Sequence, residues 1–523
     1  AHNNTAVGTS SLGANTTGTQ NTAVGANALD ANTTGLRNTG IGADSLTSNT
    51  TGESNVAVGR DAMFHNSTGA NNTAVGKDAL QNNSTASNNT AVGESALEEN
   101  TTGQNNTAIG IEALDANTTA SNNTAVGAAA LGSNTTGADN VAVGQIALEN
   151  STTAEGNIAI GRFSMNATTT GSNNVAVGKN SLGANTTGTS NVAVGANALD
   201  ANTTANNNTA VGFNSLTANT TGADNTAVAN NSLAANTTGN DNTALGKAAM
   251  ITNTTGSNNT AVGKDSIRAN TTGSSNTALG AFALRDTTTA SDNTAIGKQA
   301  LISNTTGINN TSVGTNSLQS NTTGFRSTAI GVNALDSNTT GADNTAIGQQ
   351  AGADNTSGGG NVFIGARAGL AASPSGSVTT GNDNFVLGDD NITQLFCADT
   401  SISSSDSRDK TDITDFSIGL KWIEALRPVT YKWDKRSWYG TEAEPYGTPD
   451  GSKKKSKINI GFLAQEALEV EKAHGYGDSS DNMLICNLTE DGMRYGMKYE
   501  RLVPILVNAI KELSAKVTAL EAG

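Results

Sequence analysis

From Asn4 to Asn361 one pattern of apolar and polar positions returns every 17 residues. Asn-Thr-Ala-Val-Gly, or a close variant of it, starts 22 times in unbroken register. A fixed period over such a distance predicts one structural unit stacked on itself. With the opening Asn as position 0, β-branched residues recur at positions 1 and 3, as at Val56 and Val58 or Ile158 and Ile160, with alanine between them. That alternation predicts a short strand. Glycine stands at position 4 in every unit but one, where Ala229 replaces it, which predicts a bend with positive φ or a close backbone approach. Position 8 carries Leu12, Leu29, Leu46 and their successors, exchanged for Met63, Met165, Met250 and Ile267, until the pattern lapses at Gly352. Asn-Thr-Thr-Gly then reads as a second corner. Two short strands and two corners per turn describe a coil of a parallel β-roll or β-helix, rising ~4.8 Å per coil to a rod of roughly 100 Å.

Two large aliphatics per coil are thin cover for seventeen ordered residues. Burial between chains is therefore expected, and the small alanine at position 2 is the candidate site of close subunit approach. The Asn-x-Thr sequons admit glycan attachment, but Asn at a corner accounts for them. Columns of threonine admit ice binding, but adjacent threonines point to opposite faces. After Asn361 the next comparable start is Asn384, 23 residues on, with Phe363, Phe385 and Phe396 close by and Pro374 in a Gly/Ser loop. This predicts a thicker end to the rod, either an aromatic cap on the last coil or a receptor contact.

The periodicities change beyond residue 405. Asp415 can cap a helix with apolar positions at Ile418, Trp422 and Leu426, stopped by Pro428. Strands are expected over 429–433 and 458–462, a short helix from there through Glu471, and a final pair at 484–488 and 495–499. The segment 434–457, with Lys453, Lys454 and Lys455, reads as a solvated loop. Val503, Leu506, Ile510, Leu513, Val517 and Leu520 alternate by three and four, a heptad seam that predicts a helix zipped to its copies. Pro504 is tolerated in its first turn. The chain thus divides into a 17-residue-repeat shaft (1–365), a distal shaft end and junction (366–404) and a mixed α+β domain (405–523).

Composition supports the division. All three tryptophans and all six tyrosines lie beyond residue 420, and the first proline is Pro374, so the shaft lacks the aromatics of an enzyme cleft. The 523-residue chain carries a formal net charge of −16, of which residues 1–400 hold −14 and the remainder −2. An acidic rod repels nucleic acid and anionic membrane surfaces. Cys397 and Cys486 are too few for a disulfide framework and have no metal-ligand spacing, so two free thiols and no cofactor or metal are expected. No run approaches the ~18 apolar residues of a membrane span. Ala1 opens without a basic or apolar leader, which predicts an upstream part missing or removed.

The candidate chemistry sits where the two regions meet, at Ser404–Ser405–Asp406–Ser407–Arg408–Asp409–Lys410. A serine with a lysine five residues on is what a self-cutting junction requires, since a lysine amine with a lowered pKa can serve as base for a hydroxyl. Four motifs follow in order: Lys410–Thr411–Asp412–Ile413; Ile423–Glu424–Ala425–Leu426–Arg427–Pro428–Val429–Thr430–Tyr431; Ile460–Gly461–Phe462–Leu463–Ala464–Gln465–Glu466; and Tyr499–Glu500–Arg501–Leu502–Val503–Pro504. Together they resemble the endosialidase-type intramolecular chaperone domain of phage tail spikes and fibres, over about residues 398–523. The Asn-Thr-Ala-Val-Gly motif resembles the head repeats of trimeric autotransporter adhesins, although the period is longer and the membrane-barrel anchor of those proteins is absent.

The resemblance implies a mainly β, trimeric shaft and a chaperone domain ending in a trimeric coiled coil, which holds three chains while the rod folds and then cuts itself free. The family pattern maps onto Ser405 as nucleophile, Asp406 as the new N-terminus, Arg408, and Lys410 as base, with scission between Ser405 and Asp406. Attack of Ser405 on its own carbonyl would close a four-membered ring, so a neighbouring chain's hydroxyl, a water or an acyl shift stay open as routes. Beyond such self-cleavage no substrate turnover is expected. The function implied is a homotrimeric phage tail fibre or spike shaft on the virion, attaching to a host-surface glycan or protein, without nucleic-acid partners or membrane insertion. Alternatives are an extracellular bacterial fibre adhesin with the same chaperone, and a glycan-depolymerase spike, against which the lack of a recurring carboxylate pair argues.

Overall fold

A computed structural model describes residues 2–392, 410–411, 413–440, 444, 446–489, 492 and 494–523. They form two compact units, Ala1–Asn310 and Thr311–Gly523. The fold is mainly β, a parallel β-solenoid of 17-residue repeat with a small α+β domain at its C-terminal side.

The first unit holds strands β1 (Thr5–Val7) to β18 (Thr294–Ile296), each of three residues and spaced by 17. Neighbouring strands pair in parallel with like residues aligned, as in Thr22↔Thr39 and Val24↔Ile41. One strand forms per coil, not the two expected. The segment around position 8 is a chain of turns because two of its residues adopt left-handed backbone, as at Asn27 (φ 56) and Leu29 (φ 53). Left-handed backbone costs a leucine about 1–2 kcal/mol. Complete burial of that side chain is worth about 1.5–3 kcal/mol, and its N–H is held by the next coil, Leu29 N donating to Ser45 O at 3.0 Å. The position-4 glycine meets both readings of the sequence. Gly25 has φ 142, and a Cβ there would lie 2.2 Å from the Gly42 carbonyl oxygen of the next coil. Ala229 takes φ 114 in the same role.

The alanine at position 2 points inward, not toward another subunit. From Ala23 onward the position-2 alanines, such as Ala57, are completely buried in the coil, while the residues at positions 1 and 3 face out. A coil this narrow has room for a methyl opposite the leucine, and strand alternation then exposes the β-branched neighbours.

Two buried asparagine ladders complete the interior. At position 0, Asn38 N donates to Asn21 Oδ1 (2.8 Å) and Asn21 Nδ2 to Gly35 O (2.9 Å). At position 11, Asn49 Nδ2 donates to Asn32 Oδ1 (2.8 Å) and to Gly52 O (3.1 Å). The sequon asparagines of Asn-Thr-Thr are therefore committed inside the coil. Ser151, Thr168 and Thr287 interrupt the second ladder; their hydroxyls, and Asn134 Oδ1 beside Ser151, find no partner among the described residues.

The second unit begins with coils of the same design, on β19 (Thr311–Val313), β20 (Thr328–Ile330), β21 (Thr345–Ile347) and β22 (Val362–Ile364). Its last turn is longer, yet β23 (Phe385–Leu387) still pairs with β22 in parallel, and Asn384 N reaches Asn361 Oδ1 at 2.9 Å. Phe363 stands at position 2 and is completely buried. Its ring occupies the space of the missing leucine, since a Cβ on Gly352 would approach the ring to 2.6 Å and one on Gly369 to 2.5 Å. The lapse at Gly352 and the aromatic at Phe363 are thus one volume exchange that caps the core. Phe385 is exposed, and Phe396 lies outside the described residues.

The rest of the second unit contains α1 (Leu420–Ala425), β24 (Val429–Tyr431), β25 (Asn459–Gly461), α2 (Ala464–Lys472), β26 (Cys486–Leu488), β27 (Tyr495–Met497) and α3 (Leu502–Ala522). β24 pairs antiparallel with β25, and β26 with β27. Trp422, Leu426, Ala467, Leu468, Met483, Ile485, Cys486, Leu502 and Ile505 form the core. The first helix starts later than the sequence suggests, with Gly419 and not Asp415 at its N-cap. Asn508 Nδ2 takes the carbonyls of Phe416 (2.5 Å) and Ile418 (3.3 Å), and Glu512 Oε2 accepts from Leu420 N at 3.1 Å. The backbone before residue 420 is thereby bound to α3 and withheld from helix. No helix among the described residues is long and apolar enough to cross a membrane.

Candidate processing site and its supports

Of the four junction residues, Ser405, Asp406 and Arg408 lie outside the described residues. Lys410 is described and exposed. Six residues on, the chain is gripped by α3 through Asn508 and Glu512, so the C-terminal flank of the junction is fixed to the last helix. Gly419 permits that approach: a Cβ would sit 2.4 Å from Glu512 Oε1 and 2.9 Å from Ala509 N.

The motifs converge on one another. Arg427 pairs with Glu466, its Nε 3.0 Å from Oε2, and this holds the carboxylate below its ordinary pKa. Tyr499 Oη accepts from Phe462 N at 3.1 Å, and a Cβ on Gly461 would lie 2.5 Å from that oxygen, so this glycine makes room for the tyrosine.

Sequence reasoning missed Glu471. Completely buried at the end of α2, it accepts three backbone N–H groups, from Leu484 (2.9 Å), Ile485 (2.7 Å) and Cys486 (2.7 Å). Burial first, then the charge of Glu471, pushes the Cys486 thiol up to about 12, so it is an inert packing group. Cys397 lies outside the described residues.

Sequence reasoning also missed a polar cluster between the last coil and the tail. Arg494 Nη1 and Nη2 bind Asp390 Oδ1 and Oδ2 at 2.6 and 2.5 Å, with Asp390 only 4% exposed. Arg494 Nη1 also donates to Ser373 O (2.8 Å) and its Nε to Tyr446 Oη (2.9 Å), which in turn donates to Ala371 O (2.8 Å). Ser437 Oγ donates to Asp390 Oδ2, and Lys435 Nζ to Asp390 O at 3.3 Å. Beside the cluster is a cavity of about 980 Å³ whose charged lining includes Asp336, Asp354, Asp389, Arg367, Lys453 and Lys455. The Asp336 carboxyl is held above its ordinary range, chiefly by burial. Arg494 and Ser373 are 121 positions apart and Arg494 and Asp390 104, so no spacing signal connects them. Among the described residues no group of three or more His, Cys, Asp or Glu could hold a metal ion.

A stacked 17-residue shaft joined to a compact α+β domain defines the class. Residues 405–476 match the peptidase S74 family model, described as chaperone of endosialidase, so the C-terminal side of this chain carries a chaperone domain of that type. No curated protein matches the chain.

Proposed function

We propose that this chain is one subunit of a homotrimeric phage tail fibre or spike shaft, carried on the virion and used to attach to a host-surface glycan or protein. The tail domain directs trimer assembly and then releases itself by scission between Ser405 and Asp406, with Ser405 as nucleophile and Lys410 as base. The observation that carries the reading is α3. Leu502, Ile505 and Ala509 pack into their own domain, while Val503, Leu506, Ile510, Leu513, Val517 and Leu520 stay exposed in one stripe, up to 82% at Leu520. An apolar seam of that length belongs against its copies.

The shaft offers a second surface of the same kind. Its position-3 column is aliphatic all along the first unit, exposed at Ile41, Val75, Val92, Ile109 and Ile160 and half-buried at others such as Val126 and Val177. Trimerisation would cover it, and this column, not the buried alanines, is where copies of the shaft would meet.

Sedimentation tests the reading: the uncut Ser405→Ala chain should run as a particle of three 52.5 kDa chains. Leu506→Asp with Leu513→Asp places uncompensated charge in the seam and abolishes the trimer. A stable folded monomer of the unaltered chain would overturn the proposal. Ser405→Ala or Lys410→Ala should leave a full-length trimer and no 406–523 fragment on denaturing gels; release of that fragment at the original rate would refute the serine–lysine assignment.

A further inference from the structure

The polar cluster around Arg494 spans the proposed scission point. On its N-terminal side stand Asp390 and the carbonyls of Ala371, Ser373 and Asp390; on its C-terminal side stand Lys435, Ser437, Tyr446 and Arg494. The covalent connection between the two sides runs through residues 393–409. We infer that this cluster is a clasp that keeps the tail domain seated on the last coil after the peptide connection is cut, so that scission and release are separate events.

The chemistry favours a slow second event. A two-pronged guanidinium–carboxylate pair is among the stronger side-chain contacts. Its side chains are 18% and 5% exposed, so salt screens it weakly. Removing one partner strands the other charge inside the seated interface. The Ala371 and Ser373 carbonyls belong to the lengthened turn between β22 and β23, so the clasp closes only on a last coil already folded. The clasp would therefore hold the tail to a finished shaft end.

The consequence for release rests on the proposed scission; the clasp itself does not. The test therefore uses the full chain carrying Ser405→Ala and a site-specific protease sequence inserted within 393–404. After assembly and cutting, size-exclusion chromatography follows the tail fragment over time. Fragment and shaft should co-elute, Arg494→Ala and Asp390→Asn should each speed separation about a hundredfold, and Arg494→Lys, which keeps charge but loses the fork, should fall between. Equal separation rates in all variants, or immediate separation of the unaltered pair, would overturn the inference. If Arg494→Ala disturbs folding, circular dichroism of the uncut chain will show it, and Asp390→Asn with Ser437→Ala then decides. Because the cut is engineered, failure of self-scission leaves this readout intact.

Discussion

The shaft and the tail domain satisfy their buried polar groups in opposite ways. In the shaft the contacts that join coils pair equivalent residues 17 apart: Asn to Asn, glycine to glycine, strand to strand. In the tail the important contacts leap 92 residues, from Glu512 to Leu420, or 104, from Arg494 to Asp390. Repetition gives the shaft two buried amide ladders from one short motif. It also makes every coil an acceptable neighbour for any other, so the repeats carry no address. The address lies where repetition fails, in the Phe363 and Gly352 exchange and in the tail. Under the proposed assembly role, the non-repeating region would fix the register of the self-templating one.

The contrast is broken most severely by cutting against the period. Removing residues 174–190, one complete coil, should leave a folded shaft, whereas removing eight residues from the same place should leave an insoluble or unfolded one. Equal tolerance, read by circular dichroism and electron microscopy, would mean the ladders do not set the fold. In the tail a single residue should suffice: Glu471→Ala leaves the buried Ile485 and Cys486 N–H groups and the half-buried Leu484 N–H without an acceptor and should lower tail stability by about 3–5 kcal/mol, measured by denaturant melting of the tail signal.

Smaller effects sharpen the picture of the shaft. Asp115 sits half-buried near Glu98, Glu112 and Glu99, and burial first, then these charges, raise its pKa to about 6. Its ordinary value is 3.8. Below 3.8 the carboxyl is neutral folded or unfolded and costs the fold nothing; between 3.8 and about 6 the unfolded chain gives up the proton while the fold keeps it, so stability falls with rising pH, and above about 6 the full cost remains. Asp115→Asn should therefore stabilise at pH 7.5, by roughly 1 kcal/mol or less given solvent screening, and the gain should vanish near pH 4. A gain independent of pH would show that ionisation is not its cause. Ser151→Asn supplies the donor that Asn134 Oδ1 lacks and should add about 1 kcal/mol, read as a small rise in the melting temperature; a loss would mean the ladder cannot extend through that coil.

Much of this was legible in the sequence. The period, the strand at positions 1 to 3, the glycine bend and the leucine interior follow from residues that recur without interruption. The number of strands per coil was not legible, because left-handed backbone at leucine runs against that residue's own preference and is imposed by the coils on either side. The direction of the position-2 alanine was misread for a related reason: small residues fit both a tight interface and a narrow interior, and only the coil's width decides. In the tail the helices and hairpins were visible approximately, but Glu471, Asp390 and Arg494 were not, since a single charge that meets its partner across the fold leaves no local pattern.

One coil also corresponds to a whole number of codons. Slippage or unequal exchange between repeats in the coding sequence therefore adds or removes complete coils, with both asparagine ladders and the glycine column rejoined as before. The length of such a rod can drift over generations while its surface chemistry, its capped end and the domain beyond stay unchanged, so reach becomes a trait that varies independently of what is reached.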